Sequence, residues 1–317
     1  MYLDLLDYLV CPKCKAEFIL KDYKGVDNIN TGELVCSECK KSYKIINGIP
    51  RILDNINKEK KITAKRFAYE WYKFNSMYKE AEHQFLDWVW PVKKEFFLNK
   101  IILDAGCGMG RHAYLSSKFG AKLVIGIDLG DSVNIAYKNT KALKNIHIIQ
   151  ADIYNLPFKK ESFDYIYSIG VLHHLPNPKD GFNKLLIYLK KNSLISIWVY
   201  GKENNPLLPF LNLFRKTITR NLSLSIVYFL SYFITIIFWP IINFIFFTKT
   251  KISFYDFFYY LKKLGFYRTN SIIFDQLLAP TAFYYTKKEI SSWFINLHDV
   301  KISWRNKNSW RGTAKKI

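Results

Sequence analysis

Two sets of residues in this 317-residue chain have types and spacings that could do chemistry. Cys11-Pro-Lys-Cys14 and Cys36-Ser-Glu-Cys39 stand 21 residues apart. Each Cys-x-x-Cys turn offers two sulfurs to one ion, and two turns complete a tetrahedral thiolate set with no open position. A structural zinc held by Cys11, Cys14, Cys36 and Cys39 is therefore expected; a redox use would need only one pair. The second set occupies residues 101–112, Ile-Ile-Leu-Asp-Ala-Gly-Cys-Gly-Met-Gly-Arg-His. Here an apolar run leads to Asp104 and then to Gly106, Gly108 and Gly110, which let the backbone turn sharply and approach a ligand. Loops of this kind serve more than one nucleotide-like cofactor, nicotinamide dinucleotides among them.

Further residues follow in order. Val124–Asp128 is an apolar run ending in an acid whose carboxylate could accept ribose hydroxyls, with Leu129 next. Gln150-Ala-Asp152-Ile153 closes a third run, and Phe163 to Leu175 holds Ser168, His173 and His174. Together these resemble the class I S-adenosylmethionine-dependent methyltransferases, over about residues 64–200 and 283–317. The resemblance implies that Asp104 lies near the methionine end of the cofactor, with Gly106, Cys107, Gly108 and Gly110 running beneath it. It implies Asp128 and Leu129 at the ribose, Asp152 and Ile153 at the adenine, and Ser168 and the following loop towards the sulfonium and acceptor. Cys107 reads as a small loop residue rather than a nucleophile. His173 and His174 are the nearest candidates for a base, with loop packing as their other reading. Asp275, in Phe274-Asp-Gln-Leu-Leu-Ala-Pro280, resembles an acceptor-loop residue and is a candidate substrate contact; a solvated turn acid is the alternative. Glu70 and Trp71 could cover the pocket, although an aromatic stripe at that spacing is also what a plain core requires.

The residues around the cysteines, Leu5-Leu-Asp-Tyr-Leu-Val10 and Ser42-Tyr-Lys-Ile-Ile-Asn-Gly-Ile-Pro50, carry a second resemblance. Over about residues 3–54 they resemble the zinc-ribbon protein that activates tRNA and release-factor methyltransferases, a domain also found fused to methyltransferases. It implies a scaffold or stabiliser and leaves the substrate open.

The elements that must position these residues are readable from periodicity. Residues 1–54 form the zinc ribbon, 55–61 a polar linker and 62–317 the methyltransferase domain. Residues 62–98 are helical and aromatic, interrupted at Pro91. Short apolar runs at 101–104, 123–127, 146–149, 163–168 and 194–200 alternate with amphipathic stretches, the pattern of a parallel sheet flanked by helices. The fold class is α/β, a Rossmann-like seven-stranded methyltransferase sheet. The alternation stops after Tyr200, where an apolar helical insertion occupies about 202–274; a helix near 286–295 and strands near 298–304 and 309–316 end the chain.

Within the insertion, Leu222 to Phe247 has no charged residue, long enough for a membrane span of about 20 residues. A single crossing would strand the last two strands across the membrane from their sheet. Two arrangements remain: an in-plane or hairpin helix pair broken near Trp239-Pro240, or a buried lid on the pocket. Either places an apolar wall beside the site, so the expected acceptor is a small or lipophilic molecule of quinone, lipid or cell-surface-precursor type. RNA or protein methylation is the alternative, and a non-catalytic cofactor-binding scaffold a third reading. Half the residues are apolar, which excludes global disorder. The formal charge of +21 points towards nucleic acid or an anionic surface, but abundant Lys, Ile and Asn weaken that inference. No basic leader precedes the first cysteines, and paired thiols suit a reducing compartment. The expected location is the cytoplasm, with the inner membrane face as a site of peripheral attachment.

Overall fold

Four short strands form an antiparallel unit around the cysteines: β1 (Phe18–Lys24), β2 (Thr31–Cys36), β3 (Ser42–Ile46) and β4 (Ile49–Ile52). The turn from β3 to β4 is Asn47-Gly48, both at positive φ (53° and 75°), the backbone that a two-residue hairpin needs to match strand twist. The structure, a computed structural model, describes residues 1–77, 80–203, 208–247, 255–280, 282–306 and 308–317. After β4 come two helices, α1 (Lys58–Lys73) and α2 (Ala81–Trp88). Asn57 caps α1 by accepting from the Lys60 amide at 2.9 Å, so helix begins inside the stretch expected to be linker.

The alternating region then gives β5 (Ile101–Ala105), α3 (Arg111–Lys118), β6 (Leu123–Asp128), α4 (Ser132–Thr140), β7 (Ile146–Ala151), β8 (Phe163–Ile169), α5 (Pro178–Tyr188) and β9 (Leu189–Tyr200). These strands are parallel and buried almost throughout, as expected where helices cover both faces. The insertion is helical: α6 (Leu208–Phe214), one π-helical turn, α7 (Leu224–Phe247) and α8 (Tyr255–Leu278). A short α9 (Lys287–Ser291), with a Thr286/Glu289 capping box, leads to the antiparallel pair β10 (Leu297–Arg305) and β11 (Ser309–Lys316).

The sheet has eleven strands in the order β1-β2-β3-β4-β7-β6-β5-β8-β9-β11-β10. The seven from β5 to β11 are the expected methyltransferase sheet, and the ribbon extends it by four. The join is parallel pairing of β4 with β7, Arg51 opposite Gln150 and Ile52 opposite Ala151. Backbone bonds from Val10 N to Pro157 O (2.9 Å) and Lys159 N to Tyr8 O (3.0 Å) lock the ribbon on from a second side. Leu5, Leu9, Leu34 and Ile52 share one buried cluster with Ile149, Phe158 and Phe163, so the two units have a common core.

In the insertion α7 packs on α8 as a hairpin. A buried polar seam joins them: Ser231 Oγ (3.0 Å) and Thr235 Oγ1 (3.2 Å) both reach Asn270 Oδ1. The break expected at Trp239-Pro240 does not occur, and α7 runs through Pro240 for 24 residues. Its packing on α8 outweighs the roughly 3 kcal/mol that an internal proline costs. The discontinuity falls instead at Gly265 in α8 (φ 82°, ψ 172°). Nor is α7 a buried lid: only 22% of its most apolar window is buried, and Phe229, Phe233 and Phe244 are more than 60% exposed.

Because the core is shared, losing the metal should destabilise both units together. Cys36→Ser, or chelation of the wild type, is expected to cost about 4 kcal/mol and lower a single unfolding transition followed by calorimetry. Two transitions, with the larger one unmoved, would refute the common core.

Candidate cofactor and acceptor site

Strand order reverses between β5 and β8, which opens a crevice at the carboxyl ends of these strands. The glycine loop sits there. Gly106, Gly108 and Gly110 all have positive φ (94°, 52° and 80°). At Gly108 a Cβ would also lie 2.8 Å from the Trp71 indole nitrogen, so α1 presses directly on the loop. Asp128, at the end of β6, accepts from Gly108 N (3.0 Å) and Gly130 N (2.9 Å) and so ties the loop to the neighbouring strand. Burial pushes its carboxyl upwards, and those backbone bonds hold it down.

A cavity of about 530 Å³ follows the loop. Gly106, Cys107, Gly108, Asp128, Leu129, Asp152 and Ile153 all line it, as do His174 and Asp275. Asp152 accepts from Tyr154 N (3.0 Å) and pairs with Lys60 Nζ (2.6 Å), whose ammonium also lies 4.1 Å from the Tyr154 ring centre. Asp104, Gly110, Ser168 and His173 are not on the cavity wall. Ser168 Oγ donates to Ala105 O at 2.8 Å and fastens β8 to β5. Asp104 is buried behind the loop, and that burial raises its carboxyl to about 8 against the pull of Tyr167. His173 is fully buried, which drives its pKa well down, and its ring centre lies 4.0 Å from that of Tyr200.

The residues fit S-adenosylmethionine on two observations: Gly106 and Gly108, both at positive φ, bring bare backbone to the cavity wall, and an acid at the end of β6 lies on the same wall bound to the Gly108 amide. The four cysteine sulfurs also fit a tetrahedral ion, since all lie within 4.8 Å of one another. The pairs Cys11–Cys39 (3.7 Å) and Cys14–Cys36 (3.3 Å) are near the roughly 3.8 Å that Zn–S bonds of about 2.3 Å impose.

Several wall residues carry no motif. Lys60 looks like linker, Arg111 like a loop end, and Trp88, Trp198 and Tyr200 like core. At the acceptor end Trp88 and Trp198 lie with ring centres 5.0 Å apart, and Trp198 Nε1 is buried without a hydrogen-bond partner. The Tyr200 hydroxyl bonds Asp275, and Gln276 Nε2 donates to Tyr200 Oη at 2.9 Å. The insertion supplies this end only through α8, with Tyr260, Arg268, Ser271, Asp275 and Gln276 prominent; among the described residues α7 adds nothing to the wall. The apolar wall is not supplied by α7: the apolar side chains of the insertion that line this end, Phe258, Leu264 and Ile272, belong to α8.

Residues 103–197 match the family described as "Methyltransferase domain", and residues 3–48 match "Trm112p-like protein". The chain is 32% identical over 133 residues to a tRNA U34 carboxymethyltransferase of Cellvibrio japonicus, covering 39% of this chain and 41% of that protein. The counterpart in Pseudoalteromonas atlantica is 30% identical over 131 residues, covering 38% and 40%. The chain thus spans about two fifths of the length of these curated relatives. Among solved structures it is similar to an S-adenosylmethionine-dependent methyltransferase of Listeria monocytogenes, with 25% identity, TM-score 0.34 and coverage of 39% of this chain and 56% of that one. It is also similar to a complex of the Haloferax volcanii Trm112 methyltransferase activator with a methyltransferase, with 19% identity, TM-score 0.37 and coverage of 45% and 62%. On the sequence matches and the loop geometry together, this chain carries a class I S-adenosylmethionine-dependent methyltransferase domain joined to an N-terminal Trm112p-like zinc-ribbon domain.

Proposed function

We propose that this protein is an RNA-modifying enzyme that transfers a methyl-type group from an S-adenosylmethionine cofactor to a tRNA nucleotide. The observation that carries this reading is the relatedness to tRNA U34 carboxymethyltransferases. It overturns the expectation of a small-molecule or lipid acceptor, whose structural basis was the apolar wall that α7 does not supply. The cofactor's sulfonium provides an already activated carbon. The protein then has to hold the acceptor in line with it and keep water out. The Trp88–Trp198 pair offers a planar face on which a base could stack, and the +21 charge suits a polyanion. Asp275 with Tyr200 would contact the acceptor's polar edge, and His174 lies on the same wall. A tRNA acceptor is in keeping with a cytoplasmic enzyme.

Incubation with labelled S-adenosylmethionine and total tRNA should label nucleosides recovered after digestion. Label confined to lipid or protein would overturn the RNA reading. Trp198→Ala should lower RNA labelling about tenfold, the equivalent of one lost base stack at about 1.4 kcal/mol. Asp128→Ala is expected to weaken cofactor binding at least about tenfold in calorimetry, through loss of the loop's tie; unchanged affinity would remove Asp128 from the site.

The outward face of α7 favours a second contact, one of surface rather than of acceptor. Phe229, Phe233, Ile237, Ile241, Phe244 and Phe247 are all exposed along it. An apolar strip of this length on a basic protein suits in-plane attachment to an anionic bilayer. Flotation with anionic vesicles should carry the protein upwards, and Phe233→Asp with Phe244→Asp should abolish this; a wild type that never floats disposes of the attachment.

A further inference from the structure

Glu70 lies on α1, is 2% exposed and lines the cavity, yet its Oε2 is buried without a hydrogen-bond partner. A buried carboxyl in that condition is costly unless a ligand completes it. Its position along the cleft is set by its neighbours. Trp71, the next residue, covers Gly108, and Arg111 follows Gly110 at the start of α3. The charged groups facing Glu70 are Asp275 and Arg268 from α8 and Arg111 from α3.

Of the other acids on the wall, Asp275 bonds the Tyr200 hydroxyl and Glu59 is exposed in the first turn of α1. At the other end Asp152 is paired with Lys60, and Asp128 is held by two backbone amides. Beside the glycine loop the wall sets the Glu70 carboxyl near the Arg111 guanidinium, with Arg268 of α8 also facing it. The part of S-adenosylmethionine that matches such a setting is its amino-acid arm, which carries an ammonium beside a carboxylate. An ammonium has N–H groups to give Oε2, whereas a sulfonium has none.

We propose that Glu70 is the carboxylate that binds the cofactor's α-ammonium, with Arg111 beside it towards the cofactor's carboxylate. This rests on the S-adenosylmethionine reading of the cleft. Burial first, and Asp275 second, push the Glu70 carboxyl well above its usual range, against the pull of Arg268 and Arg111. Burial therefore disfavours its ionised form, and an ammonium at Oε2 favours it, so binding shifts the carboxyl towards proton release.

Two calorimetric measurements test the assignment, with S-adenosylhomocysteine and 5′-methylthioadenosine as probes. The second keeps the nucleoside and thioether but lacks the amino-acid arm. Glu70→Gln should weaken S-adenosylhomocysteine at least tenfold and leave 5′-methylthioadenosine within twofold, which also shows that the variant folds. Equal affinities of wild type and Glu70→Gln for S-adenosylhomocysteine would overturn the proposal, and with RNA labelling lost would move Glu70 to the acceptor. The second measurement needs no variant. Titrations of the wild type in buffers of different ionisation enthalpy should show more proton release with S-adenosylhomocysteine than with 5′-methylthioadenosine. Equal proton release for both probes overturns the assignment, and failure of both to bind overturns the cofactor reading with it.

Discussion

Helix α1 lies so close over the cofactor cleft that two positions beneath it have no room for a side chain. At Gly108 a Cβ would meet the Trp71 indole at 2.8 Å, and at Gly130 it would meet the Ala64 carbonyl oxygen at 2.7 Å. The same helix supplies Lys60 to Asp152 at one end of the cleft and Glu70 at the other. Its far side is fixed too, because the buried Arg66 guanidinium donates to Leu278 O (2.7 Å) and Thr219 O (2.9 Å) in the insertion. Loop, cofactor wall and helical hairpin are thus positioned by one element, and a shift in α1 reaches all three.

The ribbon acts on the site through the edge it completes. Strand β7 would otherwise present unpaired backbone to solvent, and β4 covers it. Side chains continue the contact inwards: Arg51 donates to Gln150 Oε1 (3.0 Å) and Asn134 Oδ1 (2.6 Å), and Gln150 Nε2 donates to Leu129 O (3.1 Å). Leu129 follows Asp128 on the cavity wall, so two side-chain hydrogen bonds separate β4 from the cofactor cleft. On the other side of the join Asp54 accepts from Tyr43 Oη (2.9 Å) and Asn155 Nδ2 (3.1 Å). A closed thiolate site with no chemistry of its own can in this way govern how firmly the cofactor end is held.

How much of this was legible in the sequence depends on the range of the interactions. The glycine loop, Asp128, Asp152 and the strand runs are local patterns that spacing alone makes legible, and Gly106, Gly108, Asp128 and Asp152 share one cavity wall. The four cysteines are remote in sequence yet legible, since metal ligation demands particular residue types. Lys60, Arg111, Trp88 and Trp198 were not, because their site roles come from packing between elements far apart in the chain. Glu70 and Trp71 stood between: the aromatic stripe was visible, but core and cover share one helical period. For α7 the composition was clear and its orientation was not. Hydropathy reports that a face must leave water and not which partner it meets.

That orientation changes what the insertion means for the acceptor. An apolar helix lining the cleft would select for apolar molecules, but α7 is separated from the cavity wall by α8. The face that α8 gives the cleft mixes Phe258, Leu264 and Ile272 with Tyr260, Arg268, Ser271 and Gln276. Arg215 extends the polar part by donating to Tyr284 Oη at 2.7 Å, and Tyr284 stacks on Tyr200 with ring centres 5.4 Å apart. Aromatic planes interleaved with polar groups in this way suit a flat, partly polar acceptor. The insertion therefore shapes the acceptor end through the mixed face of α8, and the composition of α7 does not decide the acceptor.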